Sequence, residues 1–141
     1  MITWSGLNKM RAESYWSKII LNPDSGKEEK IQAGFHLENA IDSNSIKILG
    51  RALLTEKSPI VRHEFAFSLG ETTHPKIAIP YLKQAVEKDE NIFVRHEAIL
   101  ALATLGDKSV IPFIEQFLDE KEPLEIRESA EIALERLGST D

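Results

Sequence analysis

Apolar residues return at helical spacing along almost the whole chain. Ile77, Ala78, Tyr81, Leu82, Ala85 and Val86 make one stripe, and Val94, Ala98, Ala101, Leu102 and Leu105 make another. No stretch alternates for long enough to compete as a strand. Turn and cap residues interrupt the pattern at residues 22–26, 42–44, 57–59, 72–75, 89–91, 106–108 and 121–123. The spacing predicts about eight short helices in antiparallel pairs, roughly 9–21 with 27–40, 44–55 with 59–71, 75–88 with 92–105, and 109–120 with 123–137.

The second helices of these pairs align without gaps: IVRHEFAFSLGETTHP from Ile60, FVRHEAILALATLGDK from Phe93 and EIRESAEIALERLGST from Glu125. Val61, Val94 and Ile126 correspond, as do Arg62, Arg95 and Arg127, and Leu69, Leu102 and Leu134. A fainter copy, KIQAGFHLENA from Lys30, precedes them. A hairpin of two short helices cannot bury its apolar stripe alone, so the expected fold is all-α: a solenoid of four stacked hairpins with a shared core. The repeats run approximately over 9–41, 42–73, 74–107 and 108–138 of one domain spanning 1–141.

Composition narrows the chemistry. The 141 residues are 42% apolar, enough for one domain with a core. There is no cysteine, which removes disulfides, zinc–thiolate sites and thiol catalysis. The N-terminus lacks a continuous apolar h-region and no later run is long enough to span a bilayer, so a cytoplasmic location is expected. A net charge of -6 without a concentrated basic face disfavours nucleic acid and suits basic partners.

Within the repeat, VRHE occurs twice, at Val61–Glu64 and Val94–Glu97. Neighbouring helices lie about 10 Å apart, and imidazoles at one level of two such helices can meet at a single ion. His63 and His96 are therefore expected to form one edge of a metal site. Glu64 and Glu97 point about 100° away from the histidines they follow, so neither readily shares its neighbour's ion. Two histidines and a carboxylate from another direction form the N,N,O set suited to non-haem iron. One chain is expected to lack that well-placed carboxylate, and a second copy across a two-fold axis would supply it. The pair would then hold two metals, each on two histidines of one chain and a glutamate of the other. At the His and Glu positions the fourth repeat carries Glu128 and Ser129, and the first carries Ala33 and Gly34.

The V-R-x-x-A-x-x-A-L-x-x-L-G-D pattern at Val94–Asp107 resembles the short HEAT repeats of the bilin-lyase type. With His–Glu set into it, residues 29–137 resemble deoxyhypusine hydroxylase, most specifically in GRALLTEKSPIVRHEFAFSLGETTHP from Gly50 and ENIFVRHEAILALATLGD from Glu90. That family is a di-iron HEAT-repeat monooxygenase of two similar halves, acting on a modified lysine of a basic translation factor. The resemblance implies His63 and His96 as iron ligands, Glu64 as a carboxylate ligand to the opposite iron, and Glu97 as a catalytic carboxylate near the metals or the substrate amine. It implies two irons per homodimer and oxygen-dependent hydroxylation of a basic protein or peptide. This sequence contains one half, so the remainder of the site would come from a homodimer or from a separate second half.

Two other classes stay open: a non-enzymatic HEAT module docking a basic peptide, and a monomer holding one zinc on the two histidines and water. Arg62, Arg95 and Arg127 share a register that includes the repeat without His–Glu, so structural ion pairing is expected of them. His74, just before Pro75, is expected to cap a helix. His36 is read as a packing or surface residue, and Trp4, Tyr15 and Trp16 as an end cap that can also serve dimerisation. No phosphate loop, nucleophile elbow or H-E-x-x-H is present.

Overall fold

In the computed structural model, residues 3–138 are described. Among them the helices are α1 (Trp4–Leu21), α2 (Lys27–Leu37), α3 (Ser43–Thr55), α4 (Pro59–Gly70), α5 (Pro75–Lys88), α6 (Ile92–Thr104), α7 (Ile111–Glu115) and α8 (Leu124–Arg136). No strand occurs among these residues, and no helix is long and apolar enough to cross a membrane. The first helices α1, α3 and α5 pack in one layer, and the second helices α2, α4, α6 and α8 stack in the other. The core between them holds Leu49, Leu53, Phe65, Leu69, Leu82, Ile99, Leu102 and Ile126, all essentially out of solvent.

The helix starts follow local chemistry. The Asp42 carboxylate accepts from Asn44 N, Ser58 Oγ from Val61 N ahead of Pro59, and Asn91 Oδ1 from both Phe93 N and Val94 N. Gly106 ends α6 at φ 75°, a left-handed turn that a side chain disfavours, and its N–H closes onto Ala103 O.

Three sequence expectations change. The helix expected at 109–120 is one α-turn between two 3-10 turns, Lys108–Val110 and Gln116–Leu118. Pro112 has no N–H to give Lys108, so that backbone bond is missing across the junction of the two turns. His74 occupies the start of α5 but makes no side-chain cap; its Nε2 lies 3.0 Å from Ala40 O, tying the α4–α5 turn to the end of the first repeat.

The first repeat is also out of register with its alignment. Ala33 is fully buried, and Gly34 lies against Phe65 and Ser68, so neither occupies a partly exposed His–Glu position. The buried set Ala33, Gly34 and Leu37 matches Phe65, Ala66 and Leu69. Ile31 and Gln32 thus stand at the level of His63 and Glu64.

His36 is a packing residue, stacked on Trp16 with centroids 4.2 Å apart and planes 4° from parallel. Tyr15 meets Trp16 edge-on, whereas the Trp4 side chain lies outside the described residues.

Candidate metal centre

The arginines form a ladder that sets the level of each repeat. Arg62 grips Asp89 through Nε and Nη2 at 2.8 and 3.1 Å, and its Nη1 donates to the carbonyls of Glu56 and Lys57. One repeat on, Arg95 Nη2 reaches both Glu122 oxygens at 3.0 and 3.1 Å, and its Nε donates to Val86 O at 2.7 Å. Lys30 makes the same rung in the first repeat, 3.0 Å from Glu56. Arg127 ends the ladder on a carbonyl, that of Glu122. These are forked, charge-assisted contacts with little solvent around them, and they hold the side chains that follow at fixed levels. Arg62 and Arg95 make the structural ion pairs expected of them, and for Arg127 the described contact is to a backbone carbonyl.

On the next helical positions a row crosses the second-helix layer. His63 lies between two carboxylates: Nδ1 is 3.6 Å from Glu64 Oε1, and Nε2 is 3.4 Å from Glu97 Oε2. His63 and Glu64 are about one-third exposed and Glu97 half as much, so the group is open to solutes. Glu97, one repeat on, leans back to the histidine of the repeat before.

His96 is placed differently. Its Nδ1 is 2.5 Å from Ser129 Oγ, and that hydroxyl donates its one hydrogen to Glu125 O at 2.6 Å. Ser129 Oγ can then only accept from the ring, which puts the proton of a neutral imidazole on Nδ1 and leaves the Nε2 lone pair free. This second-layer support is what metal-binding histidines receive. Ser129, read in the sequence as a position lacking the motif, is the orienting residue that sequence reasoning missed. The signal was its alignment with Glu97, the residue that touches the preceding histidine.

The donors suit iron in kind. The 3.4 Å between His63 Nε2 and Glu97 Oε2 is the spacing that two donors ~2.1 Å from one ion adopt at an angle of about 110°. Imidazole and carboxylate together match borderline and hard divalent ions. Among the described residues, however, no group of three or more His, Asp or Glu side chains is arranged to hold a metal. The structure thus brings His63, Glu64 and Glu97 together, and sets His96 one repeat away against Ser129.

Comparison with known proteins agrees with this architecture. Deoxyhypusine hydroxylase of Danio rerio is 38% identical over 79 residues, 55% of this chain and 25% of that protein. The enzyme of Drosophila pseudoobscura pseudoobscura is 34% identical over 88 residues, 62% of this chain and 28% of that protein. The solved structure of human deoxyhypusine hydroxylase in complex with glycerol superposes with a TM-score of 0.83 at 24% identity, over 95% of this chain and 46% of that chain. The chain thus spans less than half the length of each of these relatives. The HEAT-repeat profile matches residues 20–135, so the chain belongs to the HEAT-repeat family and is related to deoxyhypusine hydroxylase, about half of which it covers.

Proposed function

We propose that this chain is one half of an iron centre, completed by a second copy of itself, and that the centre performs oxygen-dependent hydroxylation as deoxyhypusine hydroxylase does. His63 and His96 would hold the metal from one chain, with Glu64 and Glu97 as the carboxylates shared across the pair, giving two irons per homodimer. Iron in such a nitrogen and oxygen set supplies a redox-active centre with open positions. The observation that carries the reading is the Ser129–His96 hydrogen bond, because it frees Nε2 on the side away from Ser129.

The surface around the row supports a second copy as the covering partner. Ile60 and Phe93, three residues before the two histidines, are 66% and 69% exposed, and Phe67 and Ile132 flank the other side at 42% and 41%. Residues three, four and seven apart share one helical face, so the His–Glu row lies between two exposed apolar borders. A row of donors bordered by exposed apolar side chains fits a symmetric pair. Facing rows of carboxylates would repel, and cations between them would relieve that repulsion. Within the site Glu97 would also hold the ammonium group of a basic substrate side chain, and its charge beside His63 would keep that ring oriented. The centre would work in the cytoplasm on a basic protein or peptide.

The test is metal content with solution size. Protein loaded with ferrous iron should carry about one iron per chain and sediment as a dimer. A His63→Ala, His96→Ala double variant should lose the iron. No iron uptake by the parent would overturn the reading in favour of a non-enzymatic binding module, and iron bound by a monomer would replace it with a mononuclear site.

A further inference from the structure

Next to Glu64 the row runs into a groove of about 680 Å³, walled on one side by α1 and on the other by α2. The α1 wall is Tyr15 and Trp16; the α2 wall is Glu28, Ile31 and Gln32, and Glu64 of α4 closes the end. Most of α1 precedes the residues that the HEAT-repeat profile matches.

Its chemistry is specific. Trp16 is held flat by its stack on His36, and Tyr15 stands edge-on to it and is 58% exposed. Glu29, at the same edge, is committed to the α2 start, where its Oε1 accepts from Gly26 N at 2.9 Å. Glu28 is exposed and has no hydrogen bond or ion pair among the described residues. Lys30, on the same helix, is engaged with Glu56. The groove therefore combines aromatic rings, an aliphatic floor and carboxylates, of which Glu28 is paired with no described cation and Glu64 only with the His63 ring. An anion would meet like charge there, and a purely apolar side chain would strand the carboxylates. A long side chain with an apolar stem and a cationic head satisfies every part.

We propose that this groove binds the cationic side chain of a basic peptide, arginine in preference to lysine. A planar guanidinium stacks on the aromatic wall while its fork reaches Glu28 and Glu64; an ammonium makes the charge contact without the stack. The site lies beside the His–Glu row and does not need the metal. It would anchor one basic residue of a peptide while a neighbouring residue reaches the row.

The experiment is a titration of the full chain, without metal, with N-acetyl-arginine amide, N-acetyl-lysine amide and the neutral N-acetyl-glutamine amide, read by amide and indole nitrogen–proton spectra. Arginine should shift the Trp16 indole signal and the backbone signals of residues 28–32 saturably, about fivefold more tightly than lysine. A Glu28→Gln, Glu29→Gln variant retains the α2 start, because Gln still accepts from Gly26, and should weaken binding about fivefold. The His63→Ala, His96→Ala variant should bind arginine as the parent does, even if the iron reading fails. Equal shifts with the glutamine derivative, shifts elsewhere, unchanged affinity in the Glu28→Gln, Glu29→Gln variant, or loss of binding in the histidine variant would each overturn the proposal.

Discussion

The α4–α6 and α6–α8 contacts are two castings of one interface. In both, an arginine grips a carboxylate 27 residues further on, Arg62 with Asp89 and Arg95 with Glu122. The next residue in each is a histidine, and here they part. His63 faces a charged oxygen, Glu97, in a gap open to solutes, whereas His96 faces a buried hydroxyl, Ser129, 1% exposed. The first contact pairs two donors; the second fixes the orientation of one. Holding the arginine rung constant while varying the position after it separates what keeps the repeats together from what gives the row its chemistry.

The largest effect should come from breaking the rung. Arg62→Ala leaves Asp89, whose side chain is 8% exposed, without its partner, and should cost about 3 kcal/mol in urea unfolding. His63→Ala, one residue on and a third exposed, should cost under about 1 kcal/mol. A result in which the two are equal would erase the division between scaffold and row.

Next is the spacing of the helices. A Cβ at Gly70 would sit 2.8 Å from the Ala101 Cβ and 3.0 Å from its Cα, whereas the corresponding position one repeat on already carries a buried alanine, Ala103. Gly70→Ala should therefore destabilise by about 2 kcal/mol in the same assay by prising α4 from α6.

Smaller again is the effect on the row itself. Ser129→Ala removes the acceptor that orients His96 and should weaken iron binding about tenfold by competitive chelation, with the helix content in circular dichroism retained. Glu97→Gln should weaken iron at the other contact by removing the charge while preserving shape.

The smallest is a pH effect at the first rung. Burial raises the Glu56 carboxyl, but the Lys30 hydrogen bond and the Ser58 and Lys57 backbone contacts outweigh it, leaving the folded value below 4.5. A depressed folded value means stability present above pH 4.5 and lost as pH falls through it, so Glu56→Gln should flatten the acid limb of the unfolding profile. Glu38 runs the other way: burial and then the Glu71 charge raise it, so its cost grows as pH rises. Glu38→Gln should stabilise slightly at neutral pH.

The repeat architecture was legible because the buried positions recur with turn residues at regular intervals, and gapless alignment of three second helices fixes their levels. The first repeat was misaligned because Lys30 replaces arginine in the rung, which hid the correspondence that its contact with Glu56 reveals. The seventh helix was misjudged because its apolar spacing matches that of α5, where Pro80 sits inside a continuous helix, so the proline at 112 did not mark the break. For the row, alignment reported level but not reach. That Glu97 leans back to His63, and that Ser129 takes the same place for His96, depends on side chains crossing between helices 33 or more residues apart. The α1 groove was least legible, since its walls come from two helices with no shared motif.

The rung geometry has one more consequence, concerning how such a chain can be edited. Asp89 and Glu122 are as far apart as Arg62 and Arg95, so excising residues 74–106 would hand Arg62 the carboxylate of Glu122 and leave the stack closed. The same cut would deliver Ser129 to His63 in place of Glu97. A whole-repeat deletion would thus turn a donor pair into an oriented single histidine without a point substitution, so the chemistry along the row is set by the number of repeats as well as by their residues.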